Sequence, residues 1–153
     1  AKVSLRDEYS YNDLNPESIE LEKVDESKYP SIECFHNEDE LLKISQVQAV
    51  DDRPYCVHEL ITYLDRDINK GRLKNLQSVY DLLGRKGINN LQFMTNIITI
   101  ESPADVIRKY FPDVENVLLS ERKVLINKIP IGIERVYLRT ELTKVVFAGE
   151  LVV

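Results

Sequence analysis

The chain has 153 residues and a mass of 17.7 kDa, 43% of it hydrophobic and 30% charged, which suits one folded domain and excludes an intrinsically disordered chain. Its net charge of −6 is uneven: residues 1–52 hold 14 acids and 5 bases, residues 53–153 hold 12 acids and 15 bases. No apolar run reaches the roughly 20 residues of a membrane-spanning helix, and two cysteines are too few for a secreted disulfide scaffold, so a cytoplasmic protein without a membrane partner is expected.

Residues 1–30 are polar and acidic and read as an N-terminal arm, set apart from a single α+β domain over 31–153. Within the arm, Ile19 and Leu21 alternate with Glu20 and Glu22, the period of a short edge strand. Ser31–His36 alternates too, with Ile32, Cys34 and His36 on one side, and predicts a strand. Asn37 and Glu40 form a capping pair for a short helix through Leu41, Leu42 and Ile44. Asp51-Asp52-Arg53-Pro54 opens a longer helix, because Val57, Leu60, Ile61, Leu64 and Ile68 recur at helical spacing until Gly71. Leu73, Leu76, Tyr80 and Leu83 continue as a second helix packed on the first. A helical middle over about 55–83 follows from these stripes.

Leu91–Ile100 is rich in Thr, Ile and Asn and favours a strand. Ser102-Pro103 supplies a cap and a first helical residue for a short helix at 103–111, which Pro112 ends. Beyond Val114 the strands Val117–Leu119, Lys123–Ile129, Ile133–Arg139 and Thr143–Phe147 are separated by turns at Ser120–Arg122, Pro130–Gly132 and Thr140–Leu142. Such short spacers predict a C-terminal antiparallel meander. The apolar run from Thr143 to Val153 is expected to complete that sheet or to pair with a partner.

Every cysteine and histidine lies in one of two C-x-H tripeptides, Cys34-Phe35-His36 and Cys56-Val57-His58, 19 residues apart. Two thiolates and two imidazoles make a full tetrahedral set, so Cys34, His36, Cys56 and His58 are candidate ligands of a structural Zn2+. The same residues allow cysteine–histidine dyads, but no glycine-rich oxyanion turn lies near either cysteine. His58-Glu59 begins like a metalloprotease helix, yet Thr62 stands where the second histidine of H-E-x-x-H is required. Pro112-Asp113 and Glu121-Arg122-Lys123 follow the order of a metal-dependent nuclease motif, with a spacer too short for two strands meeting across a site.

The bases Arg66, Lys70, Arg72, Lys74, Arg85 and Lys86 form a cluster that could contact phosphates in a winged-helix arrangement. No aromatic stacking surface accompanies them, and the helix expected to read bases would offer Asn89, Asn90, Gln92 and Asn96 without a cation. An acidic N-terminal half lying over its own basic half is the simpler reading of the charge split. The sequence therefore points to a non-enzymatic interaction or assembly subunit. It would use its arm, its terminal strand or both to meet a protein partner or a second copy of itself. A nucleic-acid-binding protein is the alternative and a metal-dependent nuclease the second alternative.

Overall fold

A computed structural model describes residues 2–5, 19–50, 52–68, 80–85, 88, 90–140 and 143–146. Its strands are β1 (Lys2–Leu5), β2 (Ile19–Lys23), β3 (Asp39–Val50), β4 (Arg53–Asp65), β5 (Gln92–Glu101), β6 (Val117–Ile126), β7 (Ile129–Arg139) and β8 (Thr143–Val146). Helices among the described residues are short: α1 (Asp81–Arg85), α2 (Asp105–Arg108) and one 3-10 turn at Glu26–Lys28. Six strands form one antiparallel sheet in the order β2-β3-β4-β7-β6-β5, and β1 pairs with β8 in a separate two-stranded ribbon.

The expected α+β fold with a helical middle is thereby overturned. Residues 53–65 are the central strand of an antiparallel sheet. Their apolar residues mimic a helical stripe because both faces of β4 are covered, so inward residues do not alternate with outward ones. Tyr55, Cys56, Val57, Leu60, Ile61 and Leu64 are all buried. The predicted helix at Leu41–Ile44 is likewise strand β3, and Ser31–His36 is loop. Of the proposed helix pair, Leu73 and Leu76 lie outside the described residues, while Tyr80 and Leu83 sit at α1.

The meander is redrawn as well. Residues 117–126 run as one strand through the expected turn at Ser120–Arg122. The chain reverses instead at Asn127-Lys128, where both residues have positive φ (47° and 67°), as a two-residue hairpin turn of the primed kind requires. Asp52 (φ 62°) serves the β3–β4 reversal in the same region. Pro54 is tolerated because the register slips between Gln48 and Ala49, a bulge at the mouth of that hairpin. Strand β8 leaves the main sheet and pairs with β1, so described parts of the arm and of the terminal segment meet each other within one chain.

Core residues lie on both faces of the sheet. On one face, Leu82 and Leu83 of α1 pack on Ile19, Leu42, Ile44, Leu60, Leu64, Val124 and Ile131. On the other, Ile107 and Phe111 around α2 pack on Val57 and Val117, and Ile32 covers Leu41 and Ile61. Arg139, almost wholly buried, anchors this second cover: its guanidinium donates to Asp113 Oδ2 and Oδ1 at 3.0 and 2.8 Å and to the Pro54 carbonyl, and lies over the Phe111 ring. Arg53 adds a contact of 2.7 Å to the same carboxylate.

Two expectations follow. An added Cβ at Gly132 would stand 2.9 Å from the Ile61 carbonyl oxygen, a backbone atom of β4. Gly132→Ala should therefore spread β4 from β7 and cost roughly 1–3 kcal/mol in chemical denaturation, whereas an unchanged midpoint would show that the strands have slack there. The hydrogen bonds from Arg139, and then from Arg53, hold the Asp113 carboxyl well below the usual carboxylate range. A depressed folded-state pKa gives stability that is present above the unfolded value, about 4, and is lost as pH falls through the folded value. Urea midpoints measured from neutral pH into the acid range should fall less steeply for Asp113→Asn than for the parent chain, and parallel curves would deny the clamp this role.

Candidate functional site

Antiparallel pairing puts residues that face each other across strands on the same side of the sheet. Gln46 of β3 stands opposite His58 of β4, and Glu134 of β7 stands opposite Leu60 of β4 and Arg122 of β6. Four polar side chains thus cross four neighbouring strands on the α1 face, among the leucines and isoleucines of the core. Gln46 is only 2% exposed and Glu134 only 3%.

Glu134 is the hub of this row. Its Oε2 lies 3.0 Å from His58 Nε2, and both its oxygens receive Arg122, through Nε and Nη2. The Arg122 guanidinium lies 3.7 Å from the centroid of the Phe93 ring, and burial lowers its pKa. Phe93 meets Tyr80 edge-on at 5.6 Å, and Tyr80 meets His58 at 5.7 Å, so an aromatic wall from β5 and the residue just before α1 stands beside the row. The Gln46 Nε2 is buried and meets no acceptor among the described residues. A buried amide without a partner costs about 1–3 kcal/mol, and native proteins rarely carry that cost without a use for the group. Arg122 and Phe93 are the more exposed members, so the row opens toward β5 and closes over Gln46 and Glu134.

Cavities lined by described residues adjoin the sheet. One of about 290 Å³ lies at the end near the β6–β7 turn, lined by Phe35, His36, Thr62, Ile88, Ile126 and Ile131 among others. A second, of about 220 Å³, lies on the α2 face between Glu20, Glu22, Lys43, Ser45, Glu59 and Tyr110. Its charges are already matched within the chain. Lys43 Nζ lies 3.1 Å from Glu22 and 3.4 Å from Glu59, and although burial opposes its charge, the two glutamates raise its pKa. Burial, then the Glu59 charge, likewise raises the pKa of Tyr137 on this face.

The four expected zinc ligands do not gather. Cys34 is exposed in the loop before β3, its Sγ donating to the His36 carbonyl at 3.1 Å, and His36 lines the larger cavity. Cys56 and His58 lie on β4, where the imidazole is taken by Glu134. Among the described residues no group of three or more His, Cys, Asp or Glu could hold a metal ion, which overturns the zinc reading. The Cys56 thiol is pushed up to about 12 by burial and then by the Glu134 charge, which leaves it protonated and unreactive at neutral pH.

The nuclease carboxylates are equally occupied: Asp113 is held by Arg139 and Arg53, and Glu121 by Arg135 at 2.7 Å. Of the basic cluster, Arg66 donates to the Glu38 carbonyl at 2.8 Å and Arg85 ends α1, while Lys70, Arg72, Lys74 and Lys86 lie outside the described residues. Gln46 and Glu134 belong to no motif, and Arg122 enters only as the unspecified middle residue of the Glu121-Arg122-Lys123 pattern. Their one signal is parity, since Glu134 shares its strand face with Gly132, Val136 and Leu138, where a core residue is expected.

This arrangement separates two kinds of buried polar group. Gln46→Leu removes an unpartnered amide and should leave stability unchanged or raise it by on the order of 1 kcal/mol. Glu134→Leu strands Arg122 and His58 and should cost on the order of 3 kcal/mol. Denaturant titrations of both variants check this. A Gln46→Leu variant as destabilised as Glu134→Leu would mean that the amide is a structural member of the row.

No family model matches this sequence, and no curated protein is significantly similar to it. Solved structures are similar in fold. The ligand-binding domain of a protein assigned to the GntR family of transcriptional regulators, from Bordetella bronchiseptica, aligns with a TM-score of 0.70 at 12% identity, covering 97% of this chain and 96% of its own. The effector-binding domain of the Bacillus subtilis trehalose repressor aligns at 0.61 with 14% identity and 99% of both chains. A GntR-family regulator from Enterococcus faecalis aligns at 0.59 with 16% identity, covering 92% of this chain and all of its own. At such identities the likeness establishes the fold: this chain has the architecture of those ligand-binding domains along nearly its whole length.

Proposed function

We propose that this chain is a regulatory domain that binds a small polar effector on the α1 face, between the row Gln46, His58, Glu134 and Arg122 and the wall of Tyr80 and Phe93. The observation that carries the reading is the Gln46 amide, buried and without an acceptor among the described residues, at the end of a charged row that the rings of Tyr80 and Phe93 flank. Similarity to domains described as ligand-binding and effector-binding supports it. The donors point to a ligand rich in hydrogen-bond acceptors: hydroxyl oxygens for the amide, and a carboxylate or phosphate edge for Arg122. A ring or carbon skeleton stacking on Phe93 would add apolar contact. Such a role keeps the non-enzymatic interaction function expected from the sequence and makes a small molecule the first partner.

The test is isothermal titration of the chain with a panel of sugars, sugar phosphates and small carboxylic acids, alongside Gln46→Leu and Arg122→Ala. Ligands of the parent chain should bind at least about tenfold more weakly to each variant, a loss of about 1.4 kcal/mol, while the variants retain the parent circular dichroism spectrum. Ligands whose affinity neither substitution alters would place binding elsewhere and refute the reading.

A further inference from the structure

A buried carboxylate is an awkward centre for a site that binds acceptors. The Arg122 guanidinium and the Gln46 amide are donors suited to an anionic ligand, yet Glu134 lies between them, almost wholly buried. A ligand that touches both Gln46 on β3 and Arg122 on β6 must cross β4 and β7, and so lies along His58 and Glu134. With the imidazole uncharged, Arg122 and Glu134 sum to zero, and an anion would bring an uncompensated negative charge into the row. One neighbour can supply the missing positive charge. His58 Nε2 already meets Glu134 Oε2 at 3.0 Å, and its side chain is 17% exposed.

We propose that the row admits an anionic ligand together with a proton carried by His58, a linkage that rests on reading this face as the effector site. Among the described residues, the titratable or charged groups around the imidazole are Glu134 of β7, Arg122 of β6, Cys56 on the same side of β4, and Tyr80. Helix α1, packed on this face, adds Asp81, which is exposed at its start, and Arg85, which closes it. Of these side chains an imidazole is the one that ordinarily changes charge between pH 5 and 8. The Cys56 thiol, pushed up to about 12, keeps its proton, and no group of described residues that could hold a metal claims the imidazole. Once protonated, His58 donates to Glu134 as a cation and leaves that carboxylate ion-paired on both sides. Glu134 takes one N–H from Arg122 Nε and one from Nη2, so donors of the guanidinium remain for a ligand. Linkage fixes the sign: an anion held at Arg122 favours the charged imidazole, and the charged imidazole favours the anion by the same factor. Such a ligand binds more tightly as pH falls through the range in which His58 titrates, whereas an uncharged one gains little.

NMR of the histidine rings in the labelled full chain, titrated across the range in which an imidazole changes charge, tests this in sulfate and in chloride of equal ionic strength. Sulfate keeps its charge throughout and probes the anion contact directly. His36, exposed in the loop before β3, is the internal control, and His36→Gln assigns the two rings. In sulfate the His58 midpoint should rise by at least about half a pH unit, about a threefold gain in proton affinity, while His36 stays in place. Arg122→Gln should abolish the sulfate response while the dispersed spectrum of a folded chain persists. A His58 midpoint equal in both salts, a shift shared equally by His36, or a shift that survives in folded Arg122→Gln overturns the proposal. The parent chain decides the first two outcomes even if that variant fails to fold. Effector binding is judged separately: ligands weakened by Gln46→Leu and Arg122→Ala, with a silent imidazole, would keep the site and remove the proton.

Discussion

Burial of β4 on both faces is the constraint on which the rest of the structure depends. With β3 on one side and β7 on the other, β4 has no face left for water once α1 and α2 lie over the sheet. Every polar side chain on it must then find a partner inside the protein. His58 takes Glu134, Glu59 takes Lys43, and the Thr62 hydroxyl donates to the Ile131 carbonyl at 2.8 Å. Those partners lie on the neighbouring strands, so the register that satisfies them is also the register that aligns the core. A slip of one residue would turn His58 and Glu59 onto each other's faces and break both sets at once.

Two-sided burial also explains how much of the fold was legible from the residues. Val57, Leu60, Ile61 and Leu64 fit a helical stripe only because neither face of β4 is polar, and a short apolar run cannot separate a buried strand from a helix. Asn37 and Glu40 offered capping chemistry where the backbone is in fact turning into β3. The polar triplet Ser120-Glu121-Arg122 read as a turn, yet each of its members has a partner or cover on one face of β6 or the other. Asn127-Lys128 lacks the glycine that marks most such hairpins, so the true reversal was invisible. Where a strand has one solvated side the pattern was clearer: Ile19 and Leu21 fall in β2, and Leu91–Ile100 overlaps β5.

The candidate site was legible only in part. His58 drew attention as one of two histidines, but the C-x-H repeat that suggested a metal divides between a loop and a strand. The residue that gives His58 its role, Glu134, stands 76 positions away in sequence, joined to it by β4–β7 pairing that no local pattern encodes. Arg122 was hidden by the misplaced turn. Gln46 carries no motif at all, and its importance emerges only when its amide is seen to be buried without an acceptor among the described residues.

The sheet thus presents two polar zones of different character. On the α2 face Lys43 is flanked by Glu22 and Glu59, and the charges answer one another. On the α1 face the row retains a donor to spare and an aromatic wall, with β5 carrying both Phe93 at its mouth and the exposed isoleucines of the sheet edge. The most direct measurement of which zone receives a ligand is a two-dimensional NMR spectrum of the labelled chain, recorded with and without a pool of polar cellular metabolites. Shifts concentrated on the Gln46 side-chain amide, the His58 ring and the Arg122 and Phe93 resonances are the predicted result. Shifts concentrated instead around Lys43, Glu59 and Tyr110, with the Gln46 amide unmoved, would contradict the account.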